Sequence, residues 1–482
     1  MADDDEQLGR RRFLGVSAAA VAGLALGCGD GTGEGEDGAV PGLDAGARDA
    51  GGADGGADGG EGEDGGRDAG PPEPVVPPES TPEVDAFGLG VASGDVTADA
   101  AILWARYDGA MPLAAVVFRL DAAGGYAEQL PRLPASPAEG GFVHVEVRGL
   151  TPGARYRYAF FEMDGDARVA RSPIGAFRAA IAPSAMEPLV IGAVSCTSNG
   201  RDKPTLERAG EREDLDVFLM LGDTTYNDGS SSVAQYRAKW AESLASAGWR
   251  SVRRATSVLA TWDDHEVDNN FDPERDDVTD ALSVMFENLP LRRDASAPDR
   301  LYKRVRWGLT AEVFVLDCRG ERRRSMNEYL SRAQLDWLKA GLADSPCVFK
   351  IIANSVPIGD FPFPSESDRW EGFPAQREEI LRYVDEAPID GVIWVSGDFH
   401  FASFGRVGAN DRALGWNQRE VLAGPGAQTG NPAQLLLRAP QYEWSSMTNN
   451  YTTLELDPAR RRARVAWHDR DATVLQTSEI VF

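Results

Sequence analysis

The sequence predicts an α/β fold preceded by a β-sandwich, and two changes of rhythm along its 482 residues predict it. From Phe87 to about Ala180, short alternating runs such as AILWARY, AAVVFRLD and FVHVEVRGL are separated by turn signals. That pattern suits antiparallel strands with one buried face each, as in a two-sheet sandwich. After Pro183 the runs become continuously apolar: PLVIGAVS, DVFLMLGD, SVLATWDD, EVFVLDCR, VFKIIANS and GVIWVSGD. Amphipathic segments such as SVAQYRAKWAESLAS, SRAQLDWLKAGLADS and PAQREEILRYVDEA lie between them. Continuous apolar strands alternating with helices describe a sheet covered on both faces.

The stretches before and after this core read differently. Arg10, Arg11, Arg12, Phe13 and Leu14 precede the apolar run VSAAAVAGLALG, so residues 1–27 are expected to be a twin-arginine (Tat) signal, too short to span a bilayer as a mature helix. Leu24-Ala25-Leu26-Gly27 before Cys28 resembles a lipobox, which makes Cys28 a candidate for lipid attachment. Residues 28–83 are expected to be a linker. From Cys28 to Gly70 there are 12 acidic and 2 basic residues, a net charge of −10, and 17 glycines, too little apolar surface to offset chain entropy. A stiffer proline-rich stretch follows. The expected domains are therefore 84–182, a sandwich, and 183–482, the α/β domain. LTPGARYRY, a turn followed by alternating tyrosines, is typical of the corner in immunoglobulin-like and fibronectin-type sandwiches. The tail returns to alternating strands around Asp457-Pro458. Among the four histidines, His144 alternates with valines on a strand and His468 lacks ligand-like companions, so neither is expected to carry chemistry.

A formal net charge of −27 excludes a nucleic-acid backbone or an anionic membrane face as main partner, and leaves a lipid anchor as the one expected membrane contact. Each apolar run of the α/β part ends abruptly in polar residues: Ser195-Cys196, Gly222-Asp223-Thr224-Thr225-Tyr226, Asp263-Asp264-His265-Glu266 and Gly397-Asp398-Phe399-His400. In open α/β sheets ligands collect at the carboxyl ends of strands. Asp398 and His400, two apart on an extended strand, would leave the same side, and Asp223 and Tyr226 could share a centre after a turn. Aspartates suit hard cations, whereas thiolate and phenolate together favour a strongly Lewis-acidic trivalent ion. If Cys196, Asp223, Tyr226, Asp264 and Asp398 converge, their charges are tolerable only with two or three metal ions among them.

FGLGVASGDVTADAAILWAR, LTPGARYRY, SC, LGDTTY, WDDHEVDNN, LYKRVRWG, VFVLDCR, WEGF and SGDFH occur in that order across residues 86 to 456. This series resembles the PhoD-like alkaline phosphatases and their phosphodiesterase and phospholipase D relatives. The resemblance implies a metallophosphoesterase sandwich of two mixed sheets flanked by helices, after an immunoglobulin-like domain. It implies Fe³⁺ and Ca²⁺ as cofactors, with Cys196, Asp223 and Tyr226 as iron ligands, Asp398 and His400 completing the cluster, and Asp264 bridging to a second metal. Asn269, Asn270 and Glu266 are candidates for the second metal or its surroundings. His265, steered by Asp264 or Glu266, is the catalytic candidate that hydrogen-bonds phosphate or protonates the leaving oxygen. The expectation is an exported monomeric hydrolase of phosphate monoesters or diesters. The alternatives are a purple acid phosphatase-like enzyme, for which four histidines are few, and a surface lipoprotein using a phosphatase-like fold as a binding module. Cys318 departs from the threonine usual in VFVLDCR, and a Cys318–Cys347 disulfide is open.

Overall fold

The computed structural model describes residues 75–364 and 367–482, which fall in one unit spanning Gly70–Phe482. The expected signal segment 1–27, Cys28 and most of the 28–83 linker lie outside the described residues. Two mixed sheets pack face to face. The nine-stranded sheet runs in the order Val474–Val481, Arg462–His468, Tyr451–Asp457, Leu189–Val194, Val217–Leu221, Ser257–Thr261, Val91–Gly94, Ala100–Arg106 and Phe142–Arg148. The seven-stranded sheet runs Lys303–Trp307, Ala311–Val315, Phe349–Asn354, Val392–Ser396, Arg419–Leu422, Ala402–Arg406 and Tyr442–Ser446.

The continuous apolar runs are buried on both faces, as their lack of alternation requires. Ile191, Leu219 and Leu259 pack from one sheet against Val313, Ile351, Ile393 and Val421 of the other. On the outer side of the nine-stranded sheet, helices Val233–Leu244, Ala247–Ala255 and Thr279–Asn288 bury Trp240, Trp249 and Phe286 against Phe218 and Met220. Helices Arg332–Asp344 and Pro374–Glu386 cover the other sheet, setting Leu335, Leu338, Ile380 and Leu381 on Ile352 and Trp394. Ser331 and Ser246 start two of these helices as side-chain caps, accepting the N–H groups of Gln334 and Trp249.

The strands of the sandwich expected over 84–182 lie within that span, and one of its two sheets continues into the α/β part. A six-stranded sheet built on Leu113–Leu120 and Arg155–Asp164 faces Val91–Gly94, Ala100–Arg106 and Phe142–Arg148, burying Val117, Tyr158 and Phe160 against Leu103, Val143 and Val145. Those three facing strands are the end of the nine-stranded sheet, because Ser93 and Gly94 pair in parallel with Ser257 and Val258. One sheet thus serves both cores.

Parallel pairing sets the polar edge. Val194 is level with Met220, and Leu221 with Thr261, so residues 195–196, 222–226 and 263–266 emerge at one edge. In the second sheet Asn354 is level with Ser396, which brings 397–400 to the same kind of edge. Cys318 and Cys347 are both free, buried thiols. Ala311 pairs with Phe349 in parallel, so Cys347 precedes its strand while Cys318 follows the neighbouring one, at opposite ends of the sheet. They cannot be bridged.

His468 is a buried structural residue, sharing a hydrogen bond with the Thr453 hydroxyl at 3.0 Å and stacking on Tyr451 at 4.8 Å. Burial, helped by the charge of Arg212, lowers its pKa to about 4. The unfolded chain binds that proton near the ordinary value of about 6.5, so this residue's contribution to stability is full above that pH and is lost as pH falls toward 4. His468→Gln is expected to flatten the pH dependence of urea unfolding over that window by up to one proton; an unchanged slope would contradict the assignment.

Candidate metal centre

Backbone conformation, rather than strand alternation, aims the candidate ligands. Cys196, Asp223, Asp398 and His400 have φ of 57°, 52°, 68° and 55°, the left-handed region that non-glycine residues seldom occupy. Strand Val392–Ser396 ends before Asp398, so left-handed backbone and not strand periodicity aims Asp398 and His400, and the two fall in different groups of ligand atoms. Two glycines permit the close approach. A Cβ on Gly222 would lie 2.5 Å from Asp263 Cβ, and one on Gly397 would lie 2.6 Å from Ser195 Cβ.

Three overlapping groups of ligand atoms result, each with all atoms within 4.8 Å of one another: Cys196, Asp223 and His400; Asp223, Asp264 and His265; and Asp263, Asp264 and Asp398. Asp223 and Asp264 each belong to two groups, so the chain of donors is continuous. Tyr226 joins it through its hydroxyl, 3.1 Å from Asp223 Oδ2 and 3.4 Å from His400 Nε2. The Cys196 thiol is fully buried and donates to Ser195 Oγ at 3.2 Å. Asp223 Oδ1 is buried with no hydrogen-bond partner. A thiol, a phenol, an imidazole and an orphaned carboxylate oxygen facing one another form a donor set that fits a metal ion.

The electrostatics say the same. Burial first, and then neighbouring carboxylates, push Cys196, Asp223 and Asp398 well above their ordinary pKa values, and Tyr226 follows for the same reasons. These groups therefore favour protonation in the bare protein, and a bound cation would reverse that. Asp264 goes the other way: against burial, Arg319 and His265 hold it below the usual carboxylate range. His400 is lowered to about 4 by burial and by the charge of His265, so it presents the neutral imidazole that a metal takes.

Three residues that the sequence reading passed over organise the cluster. Arg319, completely buried, reaches Asp263 at 2.5 Å, Asp368 at 2.9 Å, Asp398 at 3.6 Å and Asp264 at 3.8 Å. Asp263 is its main partner, bonded to both Nε and Nη2, so the first aspartate of WDDHE anchors the cation although it also lies within the group formed with Asp264 and Asp398. The signal was an arginine at the end of an apolar run, where a buried position demands a counter-charge. Asp368, which accepts from Arg319 Nη1, is the second, and Asp228 is the third. His265 Nδ1 lies 2.8 and 2.9 Å from its two oxygens, so Asp228 steers the imidazole instead of Asp264 or Glu266. Asp264 is committed to the N–H groups of His265 and Asn270, and Glu266 accepts those of Asp223, Thr224 and Asp263. Against burial, the carboxylates Asp223, Asp228 and Asp264 raise His265 to about 10.

Glu266 is thus a brace between two strand ends, buried and raised to about 7. Asn270 clips the cluster from outside: oriented to donate, its amide reaches Asp264 Oδ2 at 3.0 Å and Asp368 Oδ2 at 2.9 Å. Asn269 is exposed and gives its N–H to Asp228.

A family model described as PhoD-like phosphatase matches residues 191–466, and a second, for the N-terminal domain of PhoD-like phosphatases, matches residues 74–181. Among curated proteins the chain is 27% identical over 382 residues to alkaline phosphatase D of Bacillus subtilis (strain 168), a match covering 65% of this chain and 64% of that protein. It spans less than two thirds of that relative's length. A solved structure of PhoD superposes with a TM-score of 0.70 at 21% identity, over 84% of this chain and 90% of that one. A purple acid phosphatase from yellow lupin (Lupinus luteus) seeds gives 0.59 at 14% identity, over 81% and 73%. Both share the fold described above.

Arg319→Met would leave Asp263 and Asp368 buried without their cation, at a cost of about 3–5 kcal/mol in metal-free protein. Urea unfolding measures this. A loss below about 1 kcal/mol would show that the guanidinium does not hold the cluster together.

Proposed function

The chain belongs to the PhoD-like phosphatase family, and we propose that it is an exported metal-dependent phosphoesterase that hydrolyses phosphate monoesters or diesters. The observation that carries this reading is the continuous run of donors from Cys196 and His400 through Asp223 and Asp264 to Asp398, contributed by strand ends of both large sheets. Cys196, Asp223 and Tyr226 would hold Fe³⁺, Asp398 and His400 would complete the cluster, and Asp264, with Asn269 and Asn270 near it, would face Ca²⁺. When bound, such ions supply Lewis acidity toward phosphoryl oxygens and ease the ionisation of water.

The chain's own residues do the rest. Asp228 fixes the His265 ring through Nδ1, which leaves Nε2 free of hydrogen bonds to the described residues. That nitrogen can carry a proton to a leaving alkoxide. The Tyr226 ring packs 4.1 Å from the imidazole and limits its swing. Glu266 keeps the Asp223 and Asp263 backbones in register, so that the two halves of the donor set move as one.

In the same reading residues 84–182 form an immunoglobulin-like domain and 183–482 the catalytic domain. The twin-arginine segment directs export of the folded chain, Cys28 is the site of a lipid anchor, and the enzyme acts as a monomer. Four histidines in all disfavour the purple acid phosphatase alternative, which relies on more of them as ligands.

Elemental analysis of protein purified without a metal-affinity tag, with hydrolysis of p-nitrophenyl phosphate and its bis ester, tests the proposal. Iron and hydrolysis are expected together, and Cys196→Ala is expected to lose both; a variant keeping its iron and its activity would refute the ligand assignment. His265→Ala should lower kcat by about 10²- to 10⁴-fold with metal content unchanged. Asp228→Asn should cost about 10- to 100-fold, the usual scale for a partner that orients a functional imidazole.

A further inference from the structure

A cavity of about 520 Å³ lies behind the polar strand ends, bounded by the start of helix Thr279–Asn288, the 297–302 loop and the 317–321 segment. None of the metal-ligand candidates lines it. Trp262, Val278, Leu282 and Pro298 supply its apolar wall, and Asp299, Asp317 and Glu321 bring three carboxylates to it. Asp317 is 4% exposed. Its Oδ1 accepts the Trp262 indole N–H and the Gly320 N–H, both at 2.7 Å, and the Arg319 N–H at 3.2 Å, whereas Oδ2 accepts nothing among the described residues. Glu321 Oε2 accepts from Ser331 Oγ at 2.5 Å and from Gln334 Nε2 at 2.8 Å. The same Gln334 nitrogen donates to the Asp317 carbonyl at 3.1 Å, which fixes both acidic residues to one amide. Gly320, between them, leaves the opening clear, since a Cβ there would lie 2.7 Å from Asp317 Oδ2.

No cation balances these groups. Among the described residues neither Asp317 nor Glu321 forms an ion pair, and the one arginine lining the cavity, Arg300, is paired with Asp294 at 2.5 Å and lies over the Tyr302 ring at 5.3 Å. Burial, and then the charge of Glu321, raises the Asp317 carboxyl to about 6. A carboxylate at that depth is normally matched by a cation. A bare metal ion is a poor match. The carboxylates close enough to share one lie at the metal centre and include none of these three, and much of the cavity wall is apolar. An organic ammonium group meets both requirements, because its N–H groups donate to carboxylate oxygens while its carbon body covers Trp262, Val278 and Leu282. We propose that this cavity binds a protonated organic amine with an apolar body, its ammonium group held by Asp317 Oδ2 and Glu321. Because Asp317 also takes the Arg319 N–H, the occupant sits against the segment that carries the buried guanidinium. The site is distinct from the metal centre, and its occupancy is independent of the phosphoesterase reading.

Calorimetric titration of the full chain with 2-phenylethylamine, 2-phenylethanol and 3-phenylpropionate separates charge from shape. The amine is expected to bind about 10-fold or more tightly than the alcohol, the scale of one charge-assisted hydrogen bond, and the carboxylate not at all. Equal affinity for amine and alcohol, or no binding of the amine, would overturn the proposal. Asp317→Asn, which keeps an oxygen for the three N–H donors, and Glu321→Gln should each weaken the amine about 10-fold and leave the alcohol unchanged. Amine binding undiminished in both variants would contradict the assignment. In crystals soaked with 2-phenylethylamine, density is expected between Trp262, Asp317 and Glu321; density confined to the surroundings of Asp223 and Asp398 would place the amine at the metal centre instead and sink the proposal. If Asp317→Asn does not fold, Glu321→Gln and the soaked crystals decide.

Discussion

Asp263, Asp264 and Asp398 converge on one buried guanidinium, Arg319, and the whole candidate site is arranged around what that single cation cannot neutralise. It is fully engaged by Asp263 and Asp368, the partners it reaches within hydrogen-bonding distance. Asp264 and Asp398 sit at its outer side, more than 3.5 Å away, and Asp223 lies beyond them without a partner for Oδ1. Anionic character thus rises from the interior toward the rim. Such a gradient is costly in a bare protein and stable around bound cations.

The fold supports that arrangement by rigidity. Parallel strands buried on both faces fix where each run ends, and the registers Val194 to Met220 and Leu221 to Thr261 align three ends without help from loops. Four ligand candidates then sit in left-handed backbone, a strained conformation that persists only where the surroundings over-determine it. Glu266, taking amides from two different strand ends, is part of that over-determination. The large apolar core between the sheets offsets the local strain.

Much of this is legible in the sequence because it is local. Apolar runs that stop at Cys196, Asp223, Asp264 and Asp398 show both the strands and the polar edge, since strand burial and strand termination are written in consecutive residues. What depends on long-range pairing is not. Ser93 opposite Ser257 joins segments 164 positions apart, so the sharing of one sheet by two cores has no periodic signature. Asp228 follows LGDTTY by two residues, yet its role appears only when His265 folds back onto it. Arg319 is the instructive omission. It stands inside a quoted motif, and an arginine ending a strand buried on both faces should itself have pointed to a carboxylate cluster.

The account's central claim is that the outer carboxylates and the Cys196 thiol face a metal ion rather than one another. Anomalous diffraction at the iron edge, from crystals of protein never exposed to added metal, tests it most directly. The account predicts a strong peak within coordination distance of Cys196 Sγ, Asp223 and a His400 ring nitrogen. No anomalous peak, with Cys196 still bonded to Ser195 Oγ and Tyr226 to Asp223, would contradict it.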